Sequence, residues 1–172
     1  MAEQRFFFLN LIPNGISGLS NKANHAKWFE LQGWDFTTHV DVDTNVAQGA
    51  PPKTTKSGSF EFDIMHSGPS MFKLITLGRQ LDQPVVFEAV RSGLQGAGSQ
   101  AGSVTYLQLT FTGVKFVHRG LSGDDGFKQE HVALSFQNVD MIYTPIINGM
   151  VQPNVAASFN IMSGSVGTGV NN

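Results

Sequence analysis

The side chains that could do chemistry in this chain are scattered. The five histidines are His25, His39, His66, His118 and His131. No two have the close spacing that puts two imidazoles on one metal, and no acidic partner completes a set. Each is read as structural or as a surface residue. A serine nucleophile would need the strained Gly-x-Ser-x-Gly turn, and neither Gly15-Ile-Ser-Gly-Leu19 nor Gly120-Leu-Ser-Gly-Asp124 supplies it. The run Asp41-Val-Asp-Thr-Asn45 opens like a calcium loop. Its sixth position is Val46, where glycine must turn the chain, and its twelfth is Pro52, where a bidentate glutamate must close the coordination sphere.

Two further patterns fail for reasons of geometry. Gly93, Gly96, Gly98 and Gly102 suggest a phosphate loop, but no helix follows to aim its N-terminus at a phosphate. Asp124 and Asp125 adjoin in a glycine-flanked turn and so face apart into solvent. Asp140, on a strand beside Asn138, has no visible partner. The chain has no cysteine, which excludes thiol catalysis, disulfides and cysteine-based zinc sites. The expectation is a protein that is not an enzyme, with no cofactor and no metal.

The elements that must carry these residues are mostly strands. Phe60, Phe62 and Ile64 alternate with Ser59, Glu61 and Asp63, the period of a half-buried strand. Leu107, Leu109 and Phe111 alternate against Tyr106, Gln108, Thr110 and Thr112 within a strand spanning Val104–Phe116. Val132, Leu134 and Phe136 do the same, after which the phase slips by one to Val139, Met141 and Tyr143. Such a slip is what a β-bulge produces. Further strands are expected at Phe6–Ile12, Lys27–Val42, Val85–Arg91 and Ala156–Met162. Between His66 and Gln80 the spacing of Met71, Leu74 and Ile75 is helical, with Pro69 in the first turn, where it is tolerated. Long loops are expected over Asp43–Ser57 and Ser92–Ser103, a hairpin turn over Arg119–Phe127, and a flexible tail over residues 163–172. No linker or repeat divides the 172 residues. The reading is one mainly β domain, a small antiparallel β-barrel of two packed sheets with one flanking short α-helix.

Composition narrows the function. Charged residues are 14% of the chain against about 25% in an average soluble domain. A surface poor in charge lacks one barrier to self-association. Net charge is −2 with no basic block, so a nucleic-acid partner is not expected. No apolar run approaches the roughly 20 residues of a membrane helix, so no membrane insertion is expected. The start, Met1-Ala-Glu-Gln-Arg-Phe-Phe-Phe-Leu-Asn10, has too short an apolar stretch for a signal peptide and no cleavage site after it. Three classes of function remain: a self-assembling structural protein, a ligand-binding β-sandwich with Trp28 as its one aromatic candidate, and an enzyme without a local signature.

Several segments, in order, resemble the haemolysin-coregulated protein (Hcp) family of bacterial type VI secretion. They are Gly18-Leu-Ser-Asn-Lys-Ala-Asn-His25, Phe29-Glu-Leu-Gln-Gly-Trp-Asp-Phe36, Phe60–Met65 leading into Ser67-Gly-Pro-Ser-Met-Phe-Lys-Leu74, then Val85–Arg91, Tyr106-Leu-Gln-Leu109 with Val114, and Glu130-His-Val-Ala-Leu-Ser-Phe136 with Tyr143-Thr-Pro145. The set spans residues 6 to 162. It departs from the family pattern at Leu19, where the turn carries an acid, at Phe36, the second Trp of a pair, and in a longer first loop with Pro13-Asn-Gly15.

The resemblance implies a homohexameric ring that stacks into the inner tube of a contractile injector, alongside spike and sheath proteins. The tube is made in the bacterial cytoplasm, leaves without a cleaved signal, and carries effector proteins in its lumen. It implies that Trp34 and Phe36 face the core and that Asp35 between them faces the lumen. It also implies that the loop bearing Asp43, Asn45, Gln48, Lys53 and Lys56 engages the next ring. A phage-like tail-tube protein is the near alternative.

Overall fold

The computed structural model describes residues 4–45, 53–65, 69–92, 103–124, 127–161 and 166–170. In chain order they form β1 (Gln4–Asn10), a 3-10 turn (Ile12–Asn14), β2 (Phe29–Asp43), β3 (Lys53–Ile64), α1 (Pro69–Leu77), β4 (Val85–Ser92) and β5 (Val104–Thr112). Then follow β6 (Lys115–Asp124), β7 (Phe127–Ser135), β8 (Asn138–Tyr143), β9 (Ile146–Ile147), β10 (Met150–Val151), β11 (Val155–Asn160) and β12 (Val166–Val170). Ten strands make one antiparallel sheet in the order β12-β11-β8-β5-β4-β1-β2-β3-β7-β6, and β9 and β10 form a separate ribbon.

The inward rows of this sheet are the alternating apolar sets. Phe60, Phe62 and Ile64 are all but inaccessible, as are Leu109, Phe111, Val132 and Leu134. Each such side chain contributes about 1.5–3 kcal/mol by leaving water. The rings also show how the sheet is shaped. Phe60 of β3 and Phe111 of β5 lie 5.0 Å apart between centroids, yet four ladder steps separate their strands. On a flat sheet those steps would span about 19 Å. The sheet is therefore rolled tightly onto its own aromatic face.

The roll does not become a barrel among the described residues. The hydrogen-bonded ladder stays open, with β12 at one edge and β6 at the other. The reason lies at two corners. Residues 136–137 carry the chain from β7 straight to β8, and residues 113–114 carry it from β5 to β6. Gln137 N–H donates to Thr112 O at 3.0 Å, so the two crossings are stitched to each other. Beyond them β6 continues on one side and β11–β12 on the other, without pairing. The slip in phase after Phe136 is thus a corner between two strands rather than a bulge in one. Register shifts occur instead at Leu31/Gly33, Ala89/Val90 and Phe116/His118.

Other boundaries differ from the sequence reading. Within the expected loop Asp43–Ser57, Asp43 and residues 53–57 are strand and residues 46–52 lie outside the described residues; β2 and β3 stay paired out to Asp43↔Lys53 and form a projecting two-stranded arm. Part of the expected tail is β12, paired with β11 from Val155↔Val170 to Phe159↔Val166. The central part of the expected loop Ser92–Ser103 lies outside the described residues. The helix is as expected, opened by Pro69 and ended at Gly78, whose φ of +59° is accessible to glycine at little cost. Met71 and Leu74 are buried and Phe72 and Leu77 exposed.

The upper part of the roll depends on one missing side chain. A Cβ at Gly58 would lie 2.4 Å from Cζ of the buried Phe136. Gly58→Ala should destabilise the chain by about 1–3 kcal/mol through overpacking. Urea unfolding should show this, and Phe136→Leu in the same chain should recover part of the loss, a non-additivity that unrelated sites do not produce.

Candidate assembly surfaces and their supports

Trp34 and Phe36 stand on the inner side of β2. The Trp34 ring lies 4.9 Å from Phe87 and 6.0 Å from Phe7, and Phe36 lies 6.0 Å from Phe136 and 6.1 Å from Phe111. Asp35, between them, is exposed on the outer side, where its Oδ2 accepts a hydrogen bond from Thr37 Oγ1 at 3.1 Å. Ladder pairing then extends a polar row from Asp35. Glu61 is its partner on β3, and Ala133 and His118 follow on β7 and β6. The next row runs Gly33, Asp63, His131, Gly120. His131 bridges the rows, with Nδ1 2.9 Å from Asp63 and Nε2 3.4 Å from Glu61. His118, read as isolated, has its ring 6.0 Å from that of His131. Among the described residues, no set of three or more His, Cys, Asp or Glu is placed to hold a metal ion.

The arm carries most of the residues expected to face a neighbouring ring. Asp43 and Lys53 are cross-strand partners near its tip, and Asn45 N–H donates to Asp43 Oδ1 at 2.9 Å. Gln48 lies outside the described residues. Lys56 is turned back toward the body, with Nζ 5.3 Å from the Phe159 ring of β11. Val40 and Val42 leave an apolar stripe exposed on the arm, on the side continuous with Phe36. His39 and Asp41 pair at 2.8 Å on the other side.

Two supports were not legible as such in the sequence. The segment from Gly18 to Trp28 folds over the outer side of β1 and β4. Gly18 N–H donates to Lys27 O at 2.7 Å, and a Cβ at Gly18 would collide with the Trp28 carbonyl. This closure sets the buried His25 flat on Phe8, 4.1 Å between centroids. Its Nε2 lies 2.8 Å from Glu88 Oε2, and the Glu88 oxygens also accept from Thr105 and Gln108. Trp28, the candidate platform for a ligand, sets its edge against His25 and is half-buried. Ser20 donates to Glu30 at 2.9 Å rather than to an imidazole. A cleft of about 400 Å³ opens beside it, lined by Leu19, Glu30, Leu31 and Met65 among others.

The second support is an ion pair. Glu130 is fully buried within β7 and binds Arg119 of β6, whose guanidinium also lies 5.6 Å from the Phe72 ring of α1. The pair fastens α1 over the end of the core. Its only sequence signal would have been that both residues fall in phase with apolar neighbours.

The Type VI secretion system effector, Hcp, family model matches residues 8–143. The chain belongs to the Hcp family. The match takes in the end of β1 and all of β2 to β8, leaves out β9 to β12, and places the chain with the tube proteins of type VI secretion, whose role is structural. The fold agrees. Hcp1 from Salmonella typhimurium, 22% identical, superposes with a TM-score of 0.69 over 94% of this chain and 98% of that one. A type six secretion system protein, 15% identical, reaches 0.73 over 95% and 100%. A type VI secretion system effector from Yersinia pestis, 21% identical, reaches 0.60 over 92% and 100%. Compared by sequence with curated proteins, the chain has no significant match.

In this Hcp-family chain the buried ion pair should be the sensitive point of the α1 face. Glu130→Ala leaves Arg119 half-enclosed without its counter-charge and should cost about 3–5 kcal/mol in equilibrium unfolding. The double change Arg119→Met, Glu130→Leu removes both charges and should recover most of that stability.

Proposed function

We propose that the chain is the ring-forming subunit of the type VI inner tube. Six copies close head-to-tail around a lumen, the rings stack, and the tube is expelled with effector proteins inside it. The observation that carries this reading is the open sheet in a family member. An unpaired strand edge is an aggregation hazard unless another chain covers it. Two different edges on one chain, β6 and β12, suit a head-to-tail contact, which makes a ring whenever its rotation closes. The exposed Val117 and Leu121 of β6 add apolar area to such a contact.

The finer assignments follow from this frame. The outer row of Asp35, Glu61, Asp63, His118 and His131 lines the lumen, where polar side chains keep a passage wet and let cargo slide. The β2–β3 arm, with Asp43, Asn45, Lys53 and the Val40–Val42 stripe, reaches the neighbouring ring. Sheath and spike proteins meet the tube outside and at its tip. The described residues contain no helix long and apolar enough to cross a membrane, and export proceeds without a cleaved signal. Among relatives of this architecture, a phage-like tail tube differs in its surroundings rather than in its subunit.

Native mass spectrometry with negative-stain images decides the ring. A species near six times the 18.6 kDa chain mass, with a central hole, is the expected result. A clean monomer at micromolar concentration would sink the proposal. Two variants then separate the surfaces. Asp35→Trp should leave the ring intact and abolish retention of an effector co-expressed with it; loss of the ring instead would place Asp35 at a subunit contact. Val40→Asp with Val42→Asp should leave rings intact and reduce their stacking into tubes.

A further inference from the structure

Asn-Gly occurs twice in the chain, at Asn14-Gly15 and Asn148-Gly149, and the fold treats the two oppositely. In such a pair the glycine nitrogen can attack the side-chain carbonyl carbon of the asparagine, because no Cβ obstructs its approach. At the first pair the reacting groups are held. The Asn14 amide donates to the carbonyls of Gln83 at 3.2 Å and Pro84 at 3.5 Å, and its Oδ1 accepts from Gln83 N–H at 3.2 Å. The nucleophile is engaged too, since Gly15 N–H donates to Ile12 O at 2.8 Å.

At the second pair they are loose. Asn148 and Gly149 are the two central residues of the turn between β9 and β10, with φ of 51° and 79°. Two positive φ values are what a two-residue type I′ turn requires. Asn148 is exposed, and among the described residues neither its side chain nor Gly149 N–H has a hydrogen-bond partner. The ribbon has two cross-strand pairs, Met150↔Ile147 and Val151↔Ile146, and joins no larger sheet. A ribbon this short is marginal by itself, so the local opening that brings nitrogen and carbon into line costs little.

We propose that Asn148 is a covalent modification site that deamidates spontaneously while Asn14 remains intact. The Gly149 nitrogen bonds to Cγ of Asn148, and the side-chain amide leaves as ammonia, taking up the proton that the Gly149 nitrogen gives. Water then opens the five-membered imide. Hydrolysis of the new bond yields aspartate, and hydrolysis of the original main-chain bond yields isoaspartate. Either product puts a negative charge beside the exposed Ile147, Met150 and Val151. Isoaspartate also inserts a methylene into the main chain, which a two-residue turn cannot absorb.

The test is peptide mapping by mass spectrometry of the full-length protein during incubation in mildly alkaline buffer, with enzymatic methylation to mark isoaspartate. Asn148 should convert at least about tenfold faster than Asn14, the ratio that about 1.4 kcal/mol of extra opening cost produces. The hydrogen bonds at Asn14 and Gly15, which must break before the two groups can meet, supply that cost. In urea-unfolded chain the two sites should react at similar rates. Asn14 keeping pace in the native protein would overturn the proposal. So would an intact Asn148 in native protein after both sites have reacted in the unfolded chain.

Discussion

One sheet has to supply both walls of the core, and the rest of the structure follows from that. Phe60 is the point at which the walls meet. Its ring is 5.0 Å from Phe87 and from Phe111, 5.8 Å from Phe62 and 6.3 Å from Trp34. Phe87 on β4 and Phe111 on β5 stand three and four ladder steps from β3, and a flat ladder would hold them well apart from Phe60. Aromatic pairs at such separations gain about 0.5–1.5 kcal/mol beyond the area they bury. Several sharing one hub make the rolled form the favoured way to hide so many phenylalanines. Rolling leaves two corners where the chain must cross, and these decide which strands end up at the edges.

The same roll explains why polar groups are buried where they are. β1 lies in the middle of the ladder, and its apolar run is buried on both sides, Phe7 and Leu9 against the core and Phe8 against the segment that ends at Trp28. That cover needs an anchor on the outer side of the sheet. Glu88 provides it by saturating both oxygens with His25, Thr105 and Gln108. At the end of the roll, α1 closes the gap that strands cannot, and there the Arg119–Glu130 pair joins β6 to β7 beneath Phe72. Burying a charge is tolerable only with a well-placed partner. Both clusters therefore tie surface segments to particular strands in a way that apolar contact alone, being non-directional, would not.

What could be read from the sequence was what depends on local period. Alternation located the inner rows of β3, β5 and β7, and the 3.6-residue spacing after Pro69 located α1. An ordered set of segments, Phe29–Phe36 among them, carries the resemblance to the family, although Phe36 stands where the family pattern has a second Trp. What could not be read depends on pairing across distance. His25 and Glu88 lie 63 residues apart, and neither stands in a recognisable motif. A bulge and a corner both shift the phase by one, so the residues around Phe136 could not distinguish a bent strand from two strands with different partners. The β3 side of the arm reads as loop in the sequence because Asp43–Ser57 carries Pro51-Pro52 and two lysines. Thr54 and Thr55 favour a strand by themselves, whereas Gly58 is held extended by pairing with β2. The glycines of Val166–Val170 misled in the same way.

The low charge of the chain acquires a location in this fold. Proteins commonly protect a sheet edge with lysine, proline or an inward-turned charge. β12, Val166-Gly-Thr-Gly-Val170, contains no charge and no proline. β6 carries Lys115, Arg119 and Asp124, but Arg119 is drawn under α1 to Glu130, while Val117 and Leu121 are left exposed. A cluster of carboxylates and histidines, Asp35, Glu61, Asp63, His131 and His118, lies on the outer side of β2, β3, β7 and β6. Charge is absent from β12, and on β6 the Arg119 guanidinium is drawn to Glu130 of β7. A monomer gains nothing from that distribution. A subunit covered at both edges by its neighbours does.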